Sequence, residues 1–139
     1  MLLHLIARGK IGRSPEAELV ERYLNRIAWP TRLTELTERA AMPPAPPNSV
    51  SILLDERGQA LSSSELARNL EGWRDGGKRE ARFVIGAADG HDEDDRANAD
   101  LLLSFGPATW PHLLVRGMLA EQLFRATSIL ANHPYHREG

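Results

Sequence analysis

The chain ends in a cluster of side chains that can do chemistry, NHPYHREG at 132–139. Histidine can donate, accept or carry a proton near neutral pH. Tyrosine offers a flat ring and a hydroxyl, and arginine can bind a phosphate through two hydrogen bonds. Because a residue that precedes a proline avoids helical geometry, Pro134 predicts that the preceding helix ends near Ala131 and leaves the tail free to turn back. The candidate residues are His133, Tyr135, His136 and Arg137; a docked or disordered tail is the alternative.

Two clusters have the residue types of metal ligands, but neither predicts a metal site. His133 and His136 could suggest zinc, yet Pro134 separates them and no third ligand lies nearby. The acidic run HDEDD at 91–95 has oxygen ligands that suit magnesium or calcium. Acidic residues are also favoured at a helix start by the helix dipole. We therefore expect a solvated helix N-terminus there and no metal.

A glycine-containing loop, IGAADG at 85–90, follows a predicted strand. Gly86 and Gly90 would let the backbone turn sharply and approach a ligand. The loop is neither a G-x-G-x-x-G nor a phosphate loop, so a tight turn alone also accounts for it. In a parallel sheet, ligands bind beyond the carboxyl ends of the strands. The loops that follow Leu54, Ile85 and Phe105 should all lie at that end.

The elements that must position these residues are short apolar strands alternating with helices. Ser14-Pro15 and the Ser62–Glu65 capping box predict helix starts, and the first helix should end at Pro30. We predict strands at 2–8, 31–37, 49–55, 81–86 and 101–105. The order is β-α-β, a proline-rich loop at 40–48, then β-α-β-α-β-α. This alternation predicts an α/β fold, a mostly parallel sheet with helices on both faces, in one domain over 1–139.

The composition narrows the functional classes. A chain of 139 residues, 42% hydrophobic and 26% charged, is typical of one globular domain. It has no cysteine, which excludes disulfides, thiolate zinc sites and cysteine nucleophiles. The apolar start is too short for a signal peptide, and no stretch reaches the roughly 20 apolar residues of a membrane span. We expect a cytoplasmic protein without a membrane partner, and a net charge of −2 gives no electrostatic argument for nucleic acid.

The helix predicted at 112–131 is apolar around most of its circumference. A helix of this kind is buried on several sides. In a small chain one side can be its own sheet, and the other is most simply a second copy, with Leu119 and Leu123 as outward positions. A central helix in a monomer remains the alternative.

The C-terminal third, TWPHLLVRGMLAEQLFRATSILANHPYHRE at 109–138, closely resembles the end of the RlmH-type SPOUT methyltransferases. The T-x-P-H start, the V-R, the A-E-x-L-x-R-A and the final N-H-P-Y-H-R-E all match, and weaker similarity extends back to the first strand. The resemblance implies methylation of N3 of a pseudouridine in helix 69 of 23S rRNA, on the assembled ribosome. It also implies a homodimer, a C-terminal trefoil knot over about 81–139 and S-adenosyl-L-methionine as the cofactor.

The resemblance also implies the roles of individual residues. Cofactor contacts map to Leu54 at the end of its strand, to Gly86 and Gly90, and to the loop residues Ser104, Phe105, Gly106, Pro107, Ala108 and Thr109. The tail residues Tyr135, His136, His133 and Arg137 would form the catalytic, substrate side. A neutral histidine or water would accept the N3 proton. Ala87 stands where the family has a glycine and Ala108 where it has a larger apolar residue, so a non-catalytic RNA- or nucleotide-binding dimer is the alternative.

Overall fold

The computed structural model describes residues 1–86 and 90–137. Its strands are β1 (Leu2–Arg8), β2 (Thr31–Leu36), β3 (Ser49–Ala60), β4 (Glu80–Ile85) and β5 (Leu101–Ser104). Its helices are α1 (Pro15–Leu24), α2 (Ser63–Asp75), α3 (Glu93–Asn98) and α4 (His112–Leu130). The predicted order of elements is confirmed. Ser14 caps α1, and Ser62 and Glu65 form the predicted capping box of α2.

The strands form one sheet in the order β2-β1-β4-β3-β5, and every neighbouring pair is parallel. The parallel sheet expected from the alternation is therefore confirmed. Because parallel strands share their direction, their carboxyl ends meet at one edge of the sheet. The segments that follow β1, β3, β4 and β5 gather there.

Helices cover the two faces of the sheet unequally. The long helices α1, α2 and α4 pack on one face, where their apolar side chains join one core cluster with β1, β3, β4 and β5. On the other face Ile6, Leu53 and Val84 form a smaller cluster, covered in part by Met42 of the proline-rich segment. The short α3 also lies on that side, since its Asp95 lines a small pocket with Leu53 and Val84. Arg82 secures the proline-rich segment by donating to the carbonyl of Pro43 at 2.8 Å.

The first helix is shorter than predicted. It ends at Leu24, with Asn25 as its C-cap, and not near Pro30. The chain then forms tighter turns, in which each N–H donates to the carbonyl three residues earlier. One of these bonds joins the Ile27 N–H to the Leu24 carbonyl at 3.3 Å. These turns still carry Ile27 into the core. The helical spacing of Ile27 predicted that the helix continues to this residue. A tighter turn buries the same side chain instead.

The third strand is longer than predicted. β3 does not stop at Asp55 but runs to Ala60, and its register against β5 shifts between Leu54 and Gln59. We call residues 55–58 the bulge. At Gly58 a Cβ would lie 2.5 Å from the carbonyl carbon and oxygen of Leu102, so only glycine fits this close crossing. The bulge places Asp55 and Glu56 at the carboxyl edge of the sheet.

The last helix is buried mainly within its own chain. α4 packs against α1, α2 and β4. Leu119 and Leu123 are fully buried, so their expected outward position is wrong. Six apolar residues of α4 remain partly exposed, and three of them, Leu114, Met118 and Ile129, fall along one side of the helix by their spacing; the other three are Leu113, Val115 and Leu130. Among the described residues, none of the helices has the length and apolar character that crossing a membrane requires.

Candidate functional site

A cavity of about 800 Å³ opens at the carboxyl edge of the sheet. Its walls come from the bulge after Leu54, from Gly86 and Gly90, from the segment at 105–111, and from the first turn of α4. Three of these wall segments directly follow β4, β5 or the first part of β3. The expectation that the loops after Leu54, Ile85 and Phe105 meet at one edge is confirmed.

Most of the residues that the resemblance assigned to a cofactor face this cavity. Those that line it are Leu54, Gly86, Gly90, Phe105, Gly106, Ala108 and Thr109. Ser104 is buried behind them, and its hydroxyl donates to the Gly106 carbonyl at 2.9 Å. Pro107 is exposed and is not part of the lining. Ala87 lies outside the described residues.

Gly86 sits at a close approach of two backbone segments. A Cβ at this position would lie 3.1 Å from the carbonyl carbon and oxygen of Gly90 and 3.2 Å from Cε1 of His91. Carbon atoms normally pack at about 3.5–4.0 Å. A side chain at Gly86 would therefore push the two ends of this loop apart and change the wall of the cavity.

An ion pair that the sequence did not reveal ties α3 to the bulge. Arg96 Nε lies 3.0 Å from Asp55 Oδ2, and both side chains are nearly buried. His91 Nε2 lies 2.9 Å from the carbonyl oxygen of Leu54, so this nitrogen carries the proton and donates. Both contacts link residues that are far apart along the chain. They hold residues 91–96 against β3 at Leu54 and Asp55.

Glu56 connects the bulge to both ends of the loop at 104–109. Its carboxylate accepts a hydrogen bond from Thr109 Oγ1 at 3.0 Å. Its backbone carbonyl oxygen also contacts Ser104 Oγ at 3.2 Å. Glu56 therefore fixes the span of this loop across the cavity. Nothing in the sequence pattern predicted this role, because it depends on the unpredicted extension of β3.

The described part of the tail, up to Arg137, does not reach the cavity of its own chain, since none of its residues lines that cavity. The chain reverses at Asn132, whose φ of 57° is left-handed, and returns beside its own helix. The Tyr135 ring packs 4.5 Å from the Phe124 ring, and its hydroxyl donates to Glu121 at 3.1 Å. The expected turn back occurs, but in one chain it leads to α4 and not to the cavity.

The other tail residues lie around the same surface of α4. Arg125 stacks over the Tyr135 ring at 4.8 Å, and its Nη1 is 3.1 Å from His136 Nδ1. His133 and Arg137 are exposed. The structure therefore brings the tail residues together as one group but keeps them apart from the cofactor candidates.

Burial, together with hydrogen bonds to Tyr23 and Glu121, raises the pKa of Tyr135 to about 12. Its hydroxyl is therefore protonated near neutral pH, where it acts as a donor and not as a base.

The acidic run HDEDD at 91–95, which follows Gly90 along the chain, contains the start of α3. Asp92 caps α3 by accepting from the Asp95 N–H at 2.8 Å, and Glu93, Asp94 and Asp95 fill the first turn. This confirms the helix N-terminus predicted for HDEDD. Within 1–86 and 90–137, no three histidine or acidic side chains are grouped as a metal site would require.

Comparison with known proteins agrees with this architecture. A family model described as "Predicted SPOUT methyltransferase" matches residues 1–136. Two proteins named ribosomal RNA large subunit methyltransferase H are similar over 100% of both chains: that of Rhizorhabdus wittichii is 64% identical over 140 residues, and that of Erythrobacter litoralis 66% over 140 residues.

A solved structure is similar in fold at low sequence identity. It is a chain from Haemophilus influenzae described as a "probable methylase family protein", with a TM-score of 0.58 and 10% identity, covering 96% of this chain and 67% of that chain. This likeness supports the fold alone. The family match, by contrast, extends over nearly the whole sequence, and the chain belongs to the SPOUT methyltransferase family.

Proposed function

We propose that the protein is an S-adenosylmethionine-dependent methyltransferase of large-subunit ribosomal RNA. Its target would be N3 of a pseudouridine in helix 69 of 23S rRNA, on the assembled ribosome in the cytoplasm. The observation that carries this proposal is the 58–66% identity, over the whole chain, to five proteins named ribosomal RNA large subunit methyltransferase H. The cavity at the carboxyl edge of the sheet supports it.

The cavity suits this cofactor in size and in chemistry. Its volume of about 800 Å³ lies within the usual range for small-molecule sites. Leu54, Ile85 and Phe105 offer apolar surface for an adenine ring. Carboxylates on the lining complement a positively charged sulfonium; they belong to Glu16, Asp55 and Glu56.

When bound, S-adenosylmethionine supplies an electrophilic methyl group. The loops at 86–90 and 104–109 would hold the cofactor through backbone groups, and the lining would exclude water from the methyl group. Catalysis then depends chiefly on alignment with the attacking nitrogen. N3 of the pseudouridine must lose its proton, and a neutral histidine or a water molecule would accept it.

We propose a homodimer in which the tail of the partner subunit completes the site, in a domain knotted over about 81–139. Tyr135 in the tail of one chain packs on α4, and none of the tail residues up to Arg137 lines the cavity of that chain. The partly exposed stripe of Leu114, Met118 and Ile129 offers an apolar surface for a second copy. A site shared between subunits would bring Tyr135, His136, His133 and Arg137 to the substrate.

Met118→Glu should convert the dimer to monomer, because it places a charge in the centre of the apolar stripe. Light scattering at micromolar concentration measures the mass directly. Arg68→Glu, a charge change at an exposed position of α2, is the matched control and should remain dimeric. A wild-type protein that is a stable monomer at micromolar concentration would contradict the proposed dimer.

Thr109→Val should weaken binding of S-adenosylmethionine, because it removes the hydroxyl that Glu56 holds. An exposed hydrogen bond to a carboxylate contributes about 1 kcal/mol, so the expected loss is roughly fivefold in affinity by calorimetry. Thr109→Ser keeps the hydroxyl and should bind nearly as wild type does. If Val and Ser variants bind equally well, the link between Glu56 and the loop has no part in cofactor binding.

The proposed reaction is tested by mass spectrometry of ribosomal RNA from a strain that lacks the gene. The expected result is the loss of one methyl group on a pseudouridine, restored by the wild-type protein. Unchanged methylation, together with cofactor or RNA binding by the purified protein, would instead support the non-catalytic binding dimer.

A further inference from the structure

His112 begins α4 and lines the cavity, but it has no role in the site described so far. Its two ring nitrogens have different surroundings. Nδ1 is enclosed and has no hydrogen-bond partner in the described part of the chain. The ring as a whole is only partly buried, which leaves Nε2 as the nitrogen open to the cavity.

The enclosed Nδ1 determines where the proton of a neutral ring should reside. A buried N–H without an acceptor is rarer in proteins, and more costly, than a buried lone pair without a donor. The less costly neutral form therefore leaves Nδ1 unprotonated and carries its proton on Nε2. In that form the ring presents an N–H donor to the cavity.

The protein supplies no acceptor for an Nε2 proton in the part of the chain that the structure describes. Three carboxylates line the cavity, Glu16, Asp55 and Glu56. None of their oxygen atoms lies within 4 Å of a ring nitrogen of His112, and Asp55 and Glu56 already bind Arg96 and Thr109. The Nε2–H therefore stays available to a ligand in the cavity.

We propose that His112 is a further ligand-contacting residue, whose Nε2–H donates a hydrogen bond to an oxygen atom of the bound ligand. The proposal rests on the proposed function, which supplies two sources of such an oxygen. One is the cofactor, through its carboxylate or ribose hydroxyls, and the other is a carbonyl of the target base. In either case His112 acts as a donor and is not the group that accepts the N3 proton.

The tautomer is measured by NMR on ¹⁵N-histidine-labelled full-length protein, with the His112 signals assigned by comparison with His112→Gln. We expect an unprotonated Nδ1 and a protonated Nε2 at pH 7. The Nε2 signal should shift when S-adenosylhomocysteine is added, or when a uridine nucleoside is added to that complex. A proton on Nδ1, or a doubly protonated ring, at pH 7 would overturn the proposal. Because this measurement does not require turnover, its result can be distinguished from a failure of the proposed function.

Two substitutions distinguish the sources of the oxygen. His112→Leu removes the donor, whereas His112→Gln places an amide N–H₂ near the position of Nε2. Circular dichroism first establishes that both variants fold. A roughly tenfold weaker affinity of the Leu variant for S-adenosylhomocysteine, restored in Gln, assigns the donor to the cofactor. Unchanged affinity with a raised KM or lowered kcat on undermethylated ribosomes, again restored in Gln, assigns it to the base. A Leu variant equal to wild type in all three quantities overturns the proposal.

Discussion

A Gly86→Val variant should fold and dimerise yet bind S-adenosylmethionine at least roughly tenfold more weakly than wild type. The Cβ alone would come within 3.1 Å of the Gly90 backbone and 3.2 Å of His91. The branches of valine would extend this clash into the cavity wall, where the cofactor is expected to approach the backbone. Isothermal titration calorimetry of the purified variant measures the affinity.

The control for this change is Gly72→Val. Gly72 lies in α2, and a Cβ there would meet nothing within 4 Å outside its own helix. The control makes the same chemical change far from the cavity and should bind the cofactor as wild type does. Circular dichroism and light scattering establish folding and dimerisation for both variants. An unchanged affinity in a folded Gly86→Val protein would show that the cofactor does not lie against this loop.

Local signals in the sequence were sufficient for the order of the elements. The Ser14-Pro15 start and the Ser62–Glu65 capping box depend on residues within one helical turn, so a single stretch of sequence reveals them. Runs of apolar residues similarly revealed four of the strands, and weak alternation with β-branched residues revealed the strand at 31–37. The edge at which the cavity opens followed from the alternation alone, because parallel strands end on the same side.

Contacts between distant segments set the details that the sequence did not predict. The stretch at 55–58 contains charged residues and a glycine, which are typical of a turn, but pairing with β5 continues β3 beyond it. The roles of Asp55 and Glu56 depend on this long-range pairing. Similarly, an apolar helix surface does not distinguish burial within a chain from burial against a second copy. Leu119 and Leu123 were assigned to the wrong surface for this reason.

The contacts of the tail also could not be predicted from the sequence. Pro134 correctly predicted the end of α4, and the chain does turn back. The direction of that turn depends on Phe124 and Glu121, which receive the Tyr135 ring and hydroxyl. The chemistry of the tail could be predicted from its residue types, whereas its partner surface required the structure.

Truncation after Ala131 should abolish methyl transfer, with a loss of roughly a hundredfold or more, the usual effect of removing groups that orient a substrate or move its proton. Folding and dimerisation should largely survive, because the described tail contributes only ring contacts of His133 and Tyr135 with Phe124, the stacking of Arg125 on Tyr135 and a few hydrogen bonds. Cofactor affinity should fall modestly at most, since none of the tail residues that the structure describes lines the cavity of its own chain. Transfer to undermethylated ribosomes and calorimetry with S-adenosylmethionine measure the two effects separately.

Mixed dimers determine which subunit supplies the tail. One subunit is truncated after Ala131 and keeps an intact cavity, while the other carries Gly86→Val and keeps an intact tail. Neither homodimer should transfer methyl groups well. If the tail acts on the partner's cavity, the mixed dimer contains one complete site and should recover roughly half of the wild-type rate. If the tail acts on its own cavity, the mixed dimer has no complete site and stays inactive. Transfer by the truncated homodimer at nearly the wild-type rate would show that the tail is not part of the site at all.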